Sequence, residues 1–277
     1  MSEIALTMLG TGSPRPDIER SGPAQVLTID GTHILIDCGE GTSTQLLKAG
    51  IPLESINHLW ITHLHSDHLF GYAQFLIGGQ GNGRRELTIV GPKGIKKYHQ
   101  RILELYEEDL NYRLSLGRSP KGLLDVNIIE IIESGEIKTD IPAYVTCAEM
   151  VHNVKTFGYR FYIEDKVVVI SGDTAPTPNI VELARGANLL VLDSALTTTS
   201  VYTKGGNKEF SKVFENLKKE HCTPVQCGQI AQEAEVKTLV LTHFLPEADG
   251  EEAFAETSSV FAGEVIVPKD LQKIKVD

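Results

Sequence analysis

The stretch "ITHLHSDH", Ile61 to His68, places three of the chain's nine histidines and an aspartate within six positions. A polar turn with solvated rings would account for a single histidine there, but it is a poor account of H-x-H-x-D-H arriving directly after the apolar Leu59, Trp60 and Ile61. Neutral imidazoles and carboxylates are the donors that a borderline divalent ion takes, so the pattern points to metal. In an extended segment His63 and His65, two apart, send their rings the same way. Ser66 can open a helical turn that carries Asp67 and His68 towards a second ion. A chain built on this cluster needs a strand to deliver it and other loops to complete the coordination.

Three further candidates stand where apolar runs end. His152 follows "TCAEMV", Asp173 follows "VVVISG" and His243 follows "TLVLT". Each alone reads equally well as a strand-end turn residue. Together with the first cluster they complete what a hydrolytic two-metal site requires, about six donors plus a bridging group.

The rest of the chain sets the frame for that site. With 277 residues, 41% of them hydrophobic, a sizeable buried core is expected. The balance of 26 Lys plus Arg against 37 Asp plus Glu, net −11, supplies no broad basic surface for a phosphate backbone and so disfavours nucleic acid as a partner. Cys38, Cys147, Cys222 and Cys227 form no C-x-x-C pair, which suits a reduced, intracellular setting. The start "MSEIALTMLGTGSPRP" has no basic-then-apolar leader, and no run approaches the ~18 apolar residues of a membrane span. The expectation is a soluble, cytoplasmic protein with no membrane partner.

Apolar runs and turn signals alternate throughout. "IALTMLG" reads as a strand and "AQVLTIDGTHILIDCG" as a hairpin turning at Asp30-Gly31. "LTIVGP", "LDVNIIEII", "AYVTCAEM", "TFGYRFYIE" and "KVVVISGD" read as further strands. "GIKKYHQRILELYEEDLNY" reads as a helix, carrying Ile95, Tyr98, Ile102, Leu105 and Tyr106 near helical spacing. Helices "NIVELARG" and "PVQCGQIAQEAE" lead into strands "ANLLVLDS" and "VKTLVLTHF". Hairpins come first and strand-helix alternation later, so mixed sheets are expected. No repeat or linker divides residues 1–277, which favours one domain. Residues 196–224, "LTTTSVYTKGGNKEFSKVFENLKKEHCTP", read as an inserted loop and short amphipathic helix near the active site, where Tyr202, Lys204 and the Gly205-Gly206 pair could reach a substrate.

The order H-x-H-x-D-H, His, Asp, His resembles the metallo-β-lactamase superfamily. Nearly the whole chain is similar to its ribonuclease Z and arylsulfatase-like branch, through "LGTGSPRP", "ILIDCGEGT", "ITHLHSDHLFG", "LTIVGPKGI", "VHNVKTFGYRF", "SGDT", "HCTPVQCGQIAQEAEVKTLVLTHF" and "GEVIVPKDL". The resemblance implies a four-layer αββα sandwich of mixed α/β character, two mixed β-sheets flanked by helices, with the metals at one edge. It implies two divalent ions per chain, zinc first and manganese or iron as alternatives. His63, His65 and His152 would hold one, Asp67, His68 and His243 the other, and Asp173 would bridge them. It also implies a supporting hydrogen bond from Asp37 and makes a homodimer plausible.

The expected chemistry is hydrolysis by a metal-held hydroxide that Asp67 orients or deprotonates. His221, in "HCTP", matches a histidine to which the resemblance assigns acid or phosphate-contact work, although a surface histidine ending a Lys-rich helix also fits it. Asp193 stands where ribonuclease Z usually has the glutamate of "HEATF", so carboxylate support of His221 would be altered. The long Gly/Pro-rich arm of ribonuclease Z is missing between "FGYR" and "SGDT", and its usual Ser and Arg after the last histidine are replaced by "LPEADG". With the acidic balance, these departures favour a small phosphodiester or sulfate ester, then a lactone or other carboxylic ester, then tRNA 3′ processing. Flavodiiron oxidoreductases of the same superfamily carry a glutamate at the position of His65 and a flavin domain, and this chain has neither.

Overall fold

In β3 (Thr32–Ile36) Ile34 and Ile36 face one way, Leu35 faces the other, and all three are buried. A strand that is apolar on both faces has to lie between two layers. The same alternation recurs in the later strand Leu189–Asp193, where Leu189 and Val191 pack inwards and Leu190 and Leu192 outwards. The computed structural model, which describes residues 3–203 and 208–277, satisfies both strands with four layers.

The first sheet is built from β1 (Ile4–Gly10), β2 (Ala24–Ile29), β3, β4 (Ile56–Trp60), β5 (Thr88–Pro92) and β6 (Asn127–Ile131), antiparallel as far as β3 and parallel beyond it. The second holds β7 (Gly135–Ile137), β8 (Tyr144–Glu149), β9 (Phe157–Ile163) and β10 (Lys166–Ile170) in antiparallel order. The parallel β11 (Leu189–Asp193), β12 (Thr238–Thr242) and β13 (Glu264–Ile266) follow beside β10. The final β14 (Lys273–Lys275) returns to the edge of β1. Inner faces meet in one core that includes Leu6, Ile36 and Trp60 from the first sheet and Phe157, Phe161 and Val191 from the second.

Helices cover the outer faces. α1 (Thr42–Lys48), α2 (Tyr72–Asn82), α3 (Ile95–Leu105) and α4 (Glu107–Ser115) pack on the first sheet. α5 (Pro178–Ala184), α7 (Pro224–Glu233) and α8 (Gly250–Ser258) pack on the second. The remaining helix, α6 (Lys208–Leu217), buries no residue and lies in the stretch expected to hold a short amphipathic helix. Of the loop residues singled out there, Tyr202 is described, whereas Lys204, Gly205 and Gly206 lie outside the described residues.

One helical expectation changes, and one helix was not foreseen. The single helix over Gly94 to Tyr112 is broken at Tyr106, whose φ of −105° and ψ of 17° leave helical geometry. The new helix α4 opens on Glu107, Glu108 and Asp109, acids that suit the positive end of a helix dipole. α2 forms despite Gly78, Gly79 and Gly81. A Cβ at Gly79 would sit 2.3 Å from the guanidinium of Arg84, a residue 1% exposed that donates to the carbonyls of Leu76, within this helix, and of Gly122, in a later loop.

The α2–α3 contact also carries a pH dependence. The buried Tyr72 hydroxyl donates to His99 Nδ1 at 2.7 Å, and burial pushes this imidazole down to about 4. An unfolded histidine titrates near ~6.5, so between there and about 4 the unfolded chain binds the extra proton and the fold weakens with acid. Above ~6.5 the term vanishes. Urea unfolding should therefore show stability falling from pH 6.5 towards pH 4, with His99→Gln flattening that slope. An unchanged slope in the variant would remove His99 as its source.

Candidate metal centre

The carboxyl ends of the parallel strands gather at one edge of the two sheets, the place where α/β sheets collect ligands. β4 leads to His63, β10 to Asp173, β11 to Asp193 and β12 to His243, while His152 follows β8. Two cross-sheet bonds hold this edge together. Tyr159 Oη donates to the Ile61 carbonyl at 2.6 Å, and the Phe157 amide donates to the Thr62 carbonyl at 3.0 Å. Gly172, at φ +63°, closes the same contact, because a Cβ there would lie 2.8 Å from Thr62 Cβ.

All seven residues expected as ligands come together. Donor atoms of His63, His65, His152 and Asp173 lie within 4.8 Å of one another, and those of Asp67, His68 and His243 form a second such group. Asp173 stands between them: Oδ2 is 3.6 Å from His63 Nε2 and 3.8 Å from His152 Nε2, and Oδ1 is 3.4 Å from His68 Nε2. Oδ2 also lies 3.3 Å from His243 Nε2. Asp67 Oδ2 is 3.2 Å from His243 Nε2 and 3.6 Å from His68 Nε2.

Hydrogen bonds at the far sides of the rings set their tautomers. The His68 Nδ1–H donates to Asp37 Oδ2 at 2.8 Å. The His63 Nδ1–H donates to the Thr62 hydroxyl at 3.0 Å, which in turn donates to Asp37. The His152 Nδ1–H donates to the Glu220 carbonyl at 3.1 Å. His63 and His68 thereby keep a bare Nε2, buried and without a hydrogen-bond partner. Buried polar atoms are normally satisfied, so an unpaired pair aimed at shared carboxylates fits a cation. The protonation balance agrees. Burial would lower the pKa of His68, yet the charges of Asp173, Asp37 and Asp67 raise it well above the usual imidazole range, so positive charge is favoured at this ring, and a cation at Nε2 would take the proton's place. The donor set thus fits divalent metal. Asp37 and His243 pay backbone strain to reach their positions, at φ 60° and 64°, a conformation costing about 1–3 kcal/mol for a residue other than glycine.

His221 lies inside the site, buried at 6% exposure, with its ring 5.1 Å from that of His152 and 5.5 Å from that of His243. Its Nδ1–H donates to Asp193 Oδ2 at 2.7 Å. Burial would lower its pKa, but the Asp193 charge and hydrogen bond outweigh that and raise it to about 9. Asp193 is fixed in turn by the Ala195 and Thr174 amides at 2.9 and 3.2 Å. The carboxylate support that the sequence left as altered is therefore direct. Thr62 and the Glu220 carbonyl are site elements that sequence reasoning missed. Thr62 adjoins the histidine cluster but carries no signal of its own, and a main-chain carbonyl carries none at all.

The model of the family described as Anti-Pycsar protein Apyc1 matches residues 4–243. The chain belongs to this family. Beside this Apyc1 match, the chain is 30% identical to a ribonuclease Z of Mycobacterium sp. (strain KMS), across 99% of this chain and 96% of that protein. Among solved structures it superposes on the metallo-β-lactamase fold protein YhfI from Bacillus subtilis with a TM-score of 0.79 at 18% identity, covering 99% of this chain and 100% of that one. Human short-form tRNase Z gives 0.76 at 24% identity, covering 99% of each chain. The fold of this Apyc1-family chain is thus the αββα metallo-β-lactamase fold, and its activity class is metal-dependent hydrolysis of ester bonds.

One expectation is overturned. A small-molecule ester as the partner, with nucleic acid disfavoured, does not stand against a full-length relative named ribonuclease Z. The error lay in treating net charge as a property of the site. A total of −11 averages the whole surface, whereas a phosphate meets the local field of the cleft. The arm is absent as expected, since β9 and β10 join through a turn at Glu164 and Asp165. That absence removes one grip without excluding a strand from the site.

Proposed function

We propose that the chain is a metal-dependent phosphodiesterase acting on a nucleic acid strand, with RNA as the first substrate class. The observation that carries this reading is the buried His221–Asp193 pair beside the donor cluster. A phosphodiester with an alkoxide leaving group needs charge neutralised at phosphorus and a proton delivered to the departing oxygen. Carboxylate-held imidazolium next to a metal centre supplies both needs in one cleft. The likeness to a ribonuclease Z supports a strand as the substrate.

His63, His65 and His152 would hold one ion and Asp67, His68 and His243 the other, with Asp173 between them. Zinc suits this set of imidazoles and carboxylates. When bound, the ions would neutralise phosphoryl oxygens and acidify water. Asp67 orients the attacking water and accepts its proton. His221, held at Nδ1 by Asp193, gives its Nε2 proton to the leaving oxygen as the P–O bond breaks. Four buried, unpaired thiols support a reducing compartment such as the cytoplasm.

The test is a parallel assay of the metal-loaded protein on precursor tRNA, a bis-aryl phosphodiester, an aryl sulfate and a lactone. Cleavage of the phosphodiesters should dominate, and metal analysis should return two ions per chain. Preferred turnover of the sulfate or the lactone would reject the reading.

A further inference from the structure

Beside the metal centre lies a cleft of about 130 Å³ between the Ser13–Arg20 loop and the turn after the histidine cluster. Asp67 forms one wall, so whatever occupies the cleft adjoins the reacting centre. Phe70 forms its rim and is 61% exposed, although it follows two buried residues, His68 and Leu69. Ser13 also lines it, is 7% exposed, and its hydroxyl is buried without a hydrogen-bond partner. The orphan hydroxyl and the uncovered ring are independent features, one asking for a polar oxygen and the other for a flat apolar face.

The charged groups of the cleft are unequal in freedom. Arg20 is committed to the Thr11 hydroxyl and the Pro268 carbonyl, with its guanidinium 4.6 Å from the Phe244 ring. Arg15 donates from Nε to Tyr202 Oη at 3.2 Å and stacks on Tyr202 and Phe210, at 4.8 and 5.3 Å from their centroids. Arg15 therefore ties the loop to α6 and holds one side of the cleft in place. Glu40 and Asp17 also line it, which weighs against a bare anion as the occupant. The volume admits one planar ring and little more.

On the phosphodiesterase reading above, we propose that this cleft is a nucleotide subsite beside the scissile phosphate: the base stacks on Phe70, and Ser13 Oγ hydrogen-bonds an oxygen of the same nucleotide. Stacking on an aromatic side chain is sequence-tolerant, because every base offers a π-face. Phe70 and Ser13 would then set how tightly a nucleotide substrate is held.

The test compares two esters with one leaving group, a nucleoside 5′-(p-nitrophenyl phosphate) and methyl p-nitrophenyl phosphate. Phe70→Leu should raise KM for the nucleoside ester about tenfold more than for the methyl ester, and Ser13→Ala should act in the same direction. An equal change on both esters would mean a merely structural role and overturn the subsite. Binding of a nucleoside 5′-monophosphate, followed by titration calorimetry, separates this proposal from the reading beneath it. If the wild-type protein hydrolyses neither ester, the phosphodiesterase reading fails, and the titration still decides: affinity about tenfold weaker in Phe70→Leu supports the subsite, and equal affinity or no binding overturns it.

Discussion

Asp67→Ala is expected to reduce phosphodiester turnover by about 10³-fold or more while the fold persists, combining the loss of a proton acceptor with the loss of a metal donor. The side chain is buried, and its Oδ2 meets His243 Nε2 at 3.2 Å, so the two losses fall on one atom group. Asp67→Asn separates them: an amide oxygen can still face a cation but cannot accept a proton. Single-turnover rates with metal content measured on the same samples give the comparison. Turnover retained at full metal content in Asp67→Asn would remove the proton-acceptor role.

The second large effect is expected at His221, and it should depend on the leaving group. His221→Ala should slow cleavage of an RNA phosphodiester by about 10²–10³-fold, the range for loss of a general acid. A p-nitrophenyl ester, whose leaving group departs as a stable anion, should slow far less. Asp193→Asn should behave as a weaker version of the same change, because the buried Asp193 acts by holding the imidazole at 2.7 Å. Equal slowing of both ester classes by His221→Ala would show a phosphate-binding role in place of proton delivery.

Which parts of this site were legible beforehand follows from where the information resides. The His63–His68 cluster is local, and the apolar runs of β10 and β12 end visibly in the sequence, so Asp173 and His243 can be marked as strand-end residues. The hydrogen bonds behind those rings are not local: Asp37 reaches His68 across 31 positions and Asp193 reaches His221 across 28. Nothing in either segment alone pairs them. α2 is hidden for a different reason. Its glycines oppose a helix on propensity, and the presence of Gly79 makes sense only once the buried Arg84 fills the space a side chain would need. The substrate expectation failed because a chain-wide charge of −11 was made to speak for the local field at the site.

The cross-sheet bonds from Tyr159 and Phe157 to residues 61 and 62 have a bearing on how the protein acquires its ions. They set the register of the two halves by main-chain and phenol contacts placed immediately before His63. A small metallo-domain that folds only around its ion must be loaded during folding. Here the cavity is shaped by the chain, so loading can follow folding.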